Sequence, residues 1–159
     1  MRSYARWTCV LTAIVTMSAT VDAGVVRPVP LPERARGASR IVVATVGDIT
    51  AGYQRNAFGD ELIVSHARLK VEERLKGTAG DVTLALEGGT VNGITLRVSD
   101  LPTLAAGERA VFFLTAMPNG EFAPHLRGQG ILKLDATNHV RGSSLSLDEI
   151  RYIAAAVNR

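Results

Sequence analysis

The residues that could do chemistry in this chain are scattered. A zinc site needs three or four ligands converging on one ion, usually seeded by close pairs such as His-x-x-x-His. His66, His125 and His139 are far apart in the chain, and the single cysteine, Cys9, lies near the N-terminus. No metal is expected from that spacing, and no cofactor. A serine nucleophile wants a base within reach, often announced by Gly-x-Ser-x-Gly or Ser-x-x-Lys. Neither pattern occurs; Ser143, Ser144 and Ser146 sit where a helix start explains them. Glu72-Glu73 and Asp148-Glu149 are adjacent pairs that could not both face one substrate, so they read as solvated charges. Gly128-Gln129-Gly130 lacks the third glycine and the following helix of a dinucleotide site, and Lys76-Gly77-Thr78-Ala79-Gly80 is no phosphate loop. Both read as turns or a bulge. Single-stranded nucleic acid needs aromatic platforms beside cations, and the aromatics here are few, with Phe112-Phe113 reading as core. No catalytic residue is assigned and no nucleic-acid partner is expected. One combination stands out for recognition: Tyr53 and Arg55, an aromatic and a cation of the kind enriched at binding hot spots.

The N-terminus says where such a protein would work. Arg2 and Arg6 precede an apolar run from Thr8 to Met17, and small residues follow up to Ala23, with Val21 and Ala23 placed for cleavage before Gly24. That order is a secretory signal over residues 1–23. The run is shorter than the roughly 20 residues needed to span a bilayer, so no stable membrane span is expected after cleavage, and the protein should be secreted or periplasmic. Cleavage removes the only cysteine and lowers the formal net charge from +3 to +2 by loss of Arg2, Arg6 and Asp22. The mature chain can form no disulfide and has only a slight basic balance with which to attract an anionic partner.

The elements that must position these residues are mostly strands. Residues 24–39 hold three prolines and no helical or strand period, which predicts a proline-rich extended linker. The domain is expected over 40–159. Ile41–Ile49 is nearly all apolar, the mark of a strand buried on both faces, and residues 50–60 read as a long loop carrying Tyr53 and Arg55. In Glu61–Leu75, Ile63, Ala67, Leu69, Val71 and Leu75 alternate with His66, Arg68, Lys70, Glu72 and Arg74, so one face meets a core and His66 faces water. Val82, Leu84 and Leu86 mark a third strand; Gly88–Gly93 reads as its turn into Ile94, Leu96 and Val98, as a hairpin. A buried strand is expected at 110–117, with short ones at 121–125 and 129–135. Ser146-x-x-Glu149 is a capping box opening a helix whose apolar face holds Leu147, Ile150, Ile153, Ala154 and Val157. The fold class is mainly β with a C-terminal α-helix, and the spacing of the strands is that of an all-β barrel or sandwich.

In that order of strands the chain resembles the netrin-like module shared with the tissue inhibitors of metalloproteinases. The carrying segments are Ser39–Asp48, Ala67–Gly77, Val82–Leu86, Gly107–Leu114 and Gly128–Leu134. It also resembles small exported bacterial proteins of unassigned activity. In the inhibitors an N-terminal cysteine chelates the target's zinc; here the expected mature terminus is Gly24, so no inhibitory residue carries over. The resemblance implies an OB-type barrel of five to seven strands with a packed C-terminal α-helix, and an exported, non-catalytic module binding a protein partner through loops 50–60, 88–93 and 100–107. The alternative is an exported hydrolase or metal-dependent enzyme with a dispersed site.

Overall fold

The computed structural model describes residues 27–56 and 58–158, so the expected signal segment and its cleavage point lie outside the described residues. The elements are α1 (Leu31–Gly37), β1 (Arg40–Arg55), β2 (Glu61–Lys76), β3 (Val82–Glu87), β4 (Gly89–Val91), β5 (Ile94–Leu96), β6 (Arg109–Ala116), β7 (Phe122–Pro124), β8 (Ile131–Lys133) and α2 (Leu147–Val157). The main sheet has six strands in the order β1-β2-β3-β7-β6-β8, and β6 also pairs back onto β1. Pairing thus runs round a ring of five strands. Between β3 and β7 the ring is joined by one parallel pair, Leu84 with Phe122. The result is a partly closed, barrel-like sheet with a packed C-terminal helix, as the apolar patterning predicts.

Two cores explain the two kinds of strand. Val42, Ala44 and Val46 of β1, Ala67 and Leu69 of β2, Leu84 of β3, and Phe112 and Leu114 of β6 fill the inside of the ring. On the other face of β1 and β6, Ile41, Val43, Val111 and Phe113 meet Ala35 of α1 and Leu147, Ile150 and Ala154 of α2. Ile41–Ala44 of β1 and Ala110–Leu114 of β6 are buried on two faces, which is why those stretches read as continuous apolar runs. At one end of the ring Arg40, only 4% exposed, lies beneath the Phe122 ring at 5.4 Å and donates to the carbonyls of Gly80 and Asp81. Carbonyl dipoles and an aromatic face there take the place of a carboxylate for the buried cation.

Several expectations are corrected. The segment 24–39 is not simply an extended linker, because Leu31–Gly37 is a helix whose first turn contains Pro32. Proline is tolerated there since the N–H it lacks would have no intrahelical partner. The helix is held from outside: Arg34 donates to the Gln129 carbonyl at 2.6 Å, and Lys76 Nζ donates to the Ala35 and Arg36 carbonyls at 2.9 Å each. The loop expected at 50–60 is mostly strand, with β1 running to Arg55 and Ile49–Arg55 paired antiparallel with Glu61–Ala67. Register shifts interrupt the β1–β2 pairing, and near Glu72 one lets β2 change faces. Val71 therefore packs inside the ring, whereas Leu75 packs with α1 and α2, not with Ile63 and Ala67 as strict alternation requires. Glu73 turns the same way and binds Arg151 of α2 at 2.6 Å.

The expected hairpin from Val82–Leu86 to Ile94–Val98 also does not form. β4 and β5 make a small separate hairpin about Asn92-Gly93, while β3 pairs with β2 and β7. Gly88 and Gly89 have φ of 103° and 137°, a backbone that L-residues rarely adopt, and they turn the chain out of the main sheet. The capping box is present in full: Ser146 N donates to Glu149 Oε2 at 2.8 Å, and Glu149 N donates to Ser146 Oγ at 3.3 Å.

Candidate functional site

The three histidines stay apart. His66, on the outer face of β2, is not simply solvated; its side chain is 23% exposed and both ring nitrogens are engaged. Nδ1 lies 2.8 Å from Glu121 Oε1, and Nε2 lies 2.8 Å from Gln54 Nε2. With the Gln54 amide donating to Nε2, the ring carries its proton on Nδ1 and donates it to Glu121. His139 belongs to a turn organised by Asp135, whose carboxylate accepts from the N–H groups of Thr137 and His139. His125 contacts the Thr115 hydroxyl at 3.0 Å and packs against Gly37 of α1. Among the described residues no three His, Cys, Asp or Glu side chains gather as a metal-binding group. Ser146 caps α2, and Ser143 Oγ accepts from the Leu145 N–H.

His125 gives the fold a pH dependence. Burial first, then the charges of Lys76 and Arg34, hold its pKa below the ordinary 6.5. The unfolded chain takes up this proton before the folded one does, so the stabilisation is complete above 6.5 and is lost as pH falls through the folded-state value. Carboxylates depressed by their partners, such as Glu108 beside Lys133 and Arg141, add their loss only below their ordinary 4.5. Thermal melts at steps between about pH 5 and 7.5 should show the wild type weakening toward acid, and His125→Gln should flatten the slope in that window. An unchanged slope would remove His125 as its source.

Tyr53 and Arg55 stand two residues apart on β1 and so share one strand face, not a loop. The extended pairing of β1 with β2 projects them toward the end of a two-stranded ribbon. Its turn adds a residue that the sequence reading passed over: Phe58 is 91% exposed, against 45% for Tyr53. The turn presenting it is braced by Asn56, whose Oδ1 accepts from the N–H groups of Phe58 and Asp60 at 2.9 Å each and whose Nδ2 donates to Asp60 at 3.1 Å. The signal in the sequence was the Asn56–Asp60 turn itself, with an aromatic at a position where no core can reach it.

Two recesses flank this region. One, of about 280 Å³, lies between the ends of β1, β2 and β3 and the turn from β6 to β7; Arg55, Asn56, Asn119 and Glu121 border it. The other, of about 580 Å³, lies under the β4–β5 hairpin and residues 97–104. Among the described residues no helix is long and apolar enough to cross a membrane. Compared with protein-family profiles and with curated proteins, the chain matches neither a family nor a relative.

Proposed function

We propose that this chain is an exported, non-catalytic protein-binding module that grips its partner with Tyr53, Arg55 and Phe58. The observation that carries this reading is Phe58, an aromatic side chain held in water on a braced turn. Such a side chain burns apolar contact on solvent unless a partner covers it, and Tyr and Arg nearby are residue types that dominate interface energetics. Bracing by Asn56 lowers the ordering cost of binding. Export is supported by the charged, apolar and small-residue order of residues 1–23. Kinship with the netrin-like module is part of the same proposal, supported by the ring of strands and the packed helix, and it brings no zinc-chelating cysteine with it.

The enzyme alternative has one observation in its favour, the His66–Glu121 pair beside the smaller recess. Against it, both ring nitrogens are already bonded, and among the described residues no hydroxyl or thiol side chain lines that recess.

A photoreactive phenylalanine analogue at position 58 should crosslink one discrete protein in the native exported fraction. The same analogue at Tyr152, an aromatic 78% exposed on α2, should not. Tyr53→Ala with Arg55→Ala should weaken capture by about 30-fold or more, the scale of a hot-spot pair, at unchanged melting temperature. Equal crosslinking from positions 58 and 152 would defeat the proposal, and loss of a measurable hydrolytic activity in His66→Ala would move the enzyme reading ahead.

A further inference from the structure

The larger cleft has a composition that selects a ligand class. Ile49, Ala67 and Leu86 come from the inward face of the sheet, and Leu96, Val98 and Leu104 from the hairpin and the loop after it. On the sheet side Ala51 and Ala67 line it with methyl groups only. At about 580 Å³ the cleft falls within the range of small-molecule sites. Among the described residues none that lines it is aromatic, and these offer no flat face on which a sugar or a nucleobase could stack.

Of its polar side chains, Ser65, Glu87, Thr90 and Thr95 already have partners, and the small hydroxyls of Ser99 and Thr103 carry no charge. Thr90 and Thr95 bond each other at 2.8 Å, and Ser65 donates to the Gly88 carbonyl at 2.7 Å. Arg127 binds Glu87 at 2.9 Å and also binds Asp100, drawing both carboxylates to one guanidinium. Arg97 lines the same cleft and is exposed. It has no hydrogen bond or ion pair to any described residue. An aliphatic interior with one uncommitted cation at its rim matches a molecule with an aliphatic chain and an anionic head.

We propose that the cleft binds a single-chain anionic amphiphile, its chain along Ile49, Ala67 and Leu86 and its carboxylate or similar head at Arg97. Burial of the chain supplies most of the affinity, and the exposed ion pair supplies preference for the anion.

The test uses dodecanoate below its micelle concentration, with dodecanol as the uncharged arm and phosphatidylglycerol vesicles as the membrane arm. Dodecanoate should bind with a negative heat-capacity change, the mark of apolar burial. Arg97→Ala should weaken dodecanoate about fivefold, as an exposed ion pair allows, and leave dodecanol unchanged. Ala51→Trp, at an exposed position that lines the cleft, should weaken both by tenfold or more without lowering the melting temperature. Should that variant unfold, a photoreactive dodecanoate on wild type replaces it and should label residues within 96–104. Absence of dodecanoate binding, binding unaffected by a folded Ala51→Trp, labelling only outside the cleft, or attachment to vesicles alone would each overturn the proposal.

Discussion

Val111→Asp should leave the protein largely unfolded at ambient temperature. Val111 has no exposed surface, and it belongs to the core between the sheet and the two helices. Its neighbours in that core are aliphatic or aromatic, among them Val43, Leu147, Ile150 and Ala154. A carboxylate there must stay ionised without a partner, take a proton at a cost, or push the helices away. Each route costs several kcal/mol, against a total stability of about 5–15 kcal/mol for a domain of this kind. Phe113→Asp should be about as severe for a different reason. The Arg34 guanidinium stands over the Phe113 ring at 6.0 Å and would partner the new carboxylate, but loss of the ring leaves a large cavity worth about 3–5 kcal/mol. Denaturant unfolding of soluble material checks both, and a midpoint near wild type for Val111→Asp would show that this face of β6 is not core.

Gly130→Ala should cost about 3 kcal/mol, a large effect for one added methyl group. A Cβ at Gly130 would collide with the His125 carbonyl oxygen and lie 2.8 Å from the His125 nitrogen and 2.9 Å from the Phe113 carbonyl oxygen. All three are backbone atoms, and the last two are joined by the hydrogen bond from His125 N to Phe113 O. Relief therefore requires parting the chain after β7 from β6. The strain would spread to α1, since the adjacent Gln129 accepts from Arg34 through its carbonyl and from Val29 N through its side chain. The melting temperature should fall by roughly 10 °C or more. Gly52→Ala, where a Cβ would meet nothing within 4 Å, is the control and should be close to neutral. Equal melting temperatures in the two variants would show that the turn can open freely.

What could be read without coordinates was whatever depends on neighbours close in sequence. The apolar run of 110–117 announces a buried strand, though burial holds only for Ala110–Leu114; the alternation over Glu61–Leu75 announces a strand with two different faces, which holds as far as Val71; and Ser146 with Glu149 announces a helix start. These signals are local because side-chain direction repeats every two residues in a strand and every 3.6 in a helix. They were enough for a mainly β fold closed by a C-terminal helix. Of the candidate site they yielded Tyr53 and Arg55 as residue types, though not the strand that carries them.

The rest was decided by contacts between segments distant in the chain. Leu31–Gly37 is too short to hold a helix alone; Gln129 and Lys76, far along the sequence, supply its anchors. Thr50–Arg55, where Ala51 and Gly52 interrupt any apolar alternation, has little strand signal of its own and is extended because β2 lies alongside. A register shift near Glu72 sent Leu75 to the helix side, and no periodicity reports where a bulge will fall. Val82–Leu86 found β7 instead of the nearer β5 because two glycines turned the chain away. Phe58 shows the same limit at the site: its type is visible in the sequence, but its exposure follows from Asn56 bracing a turn beyond the reach of either core, and burial is a property of the assembled surface.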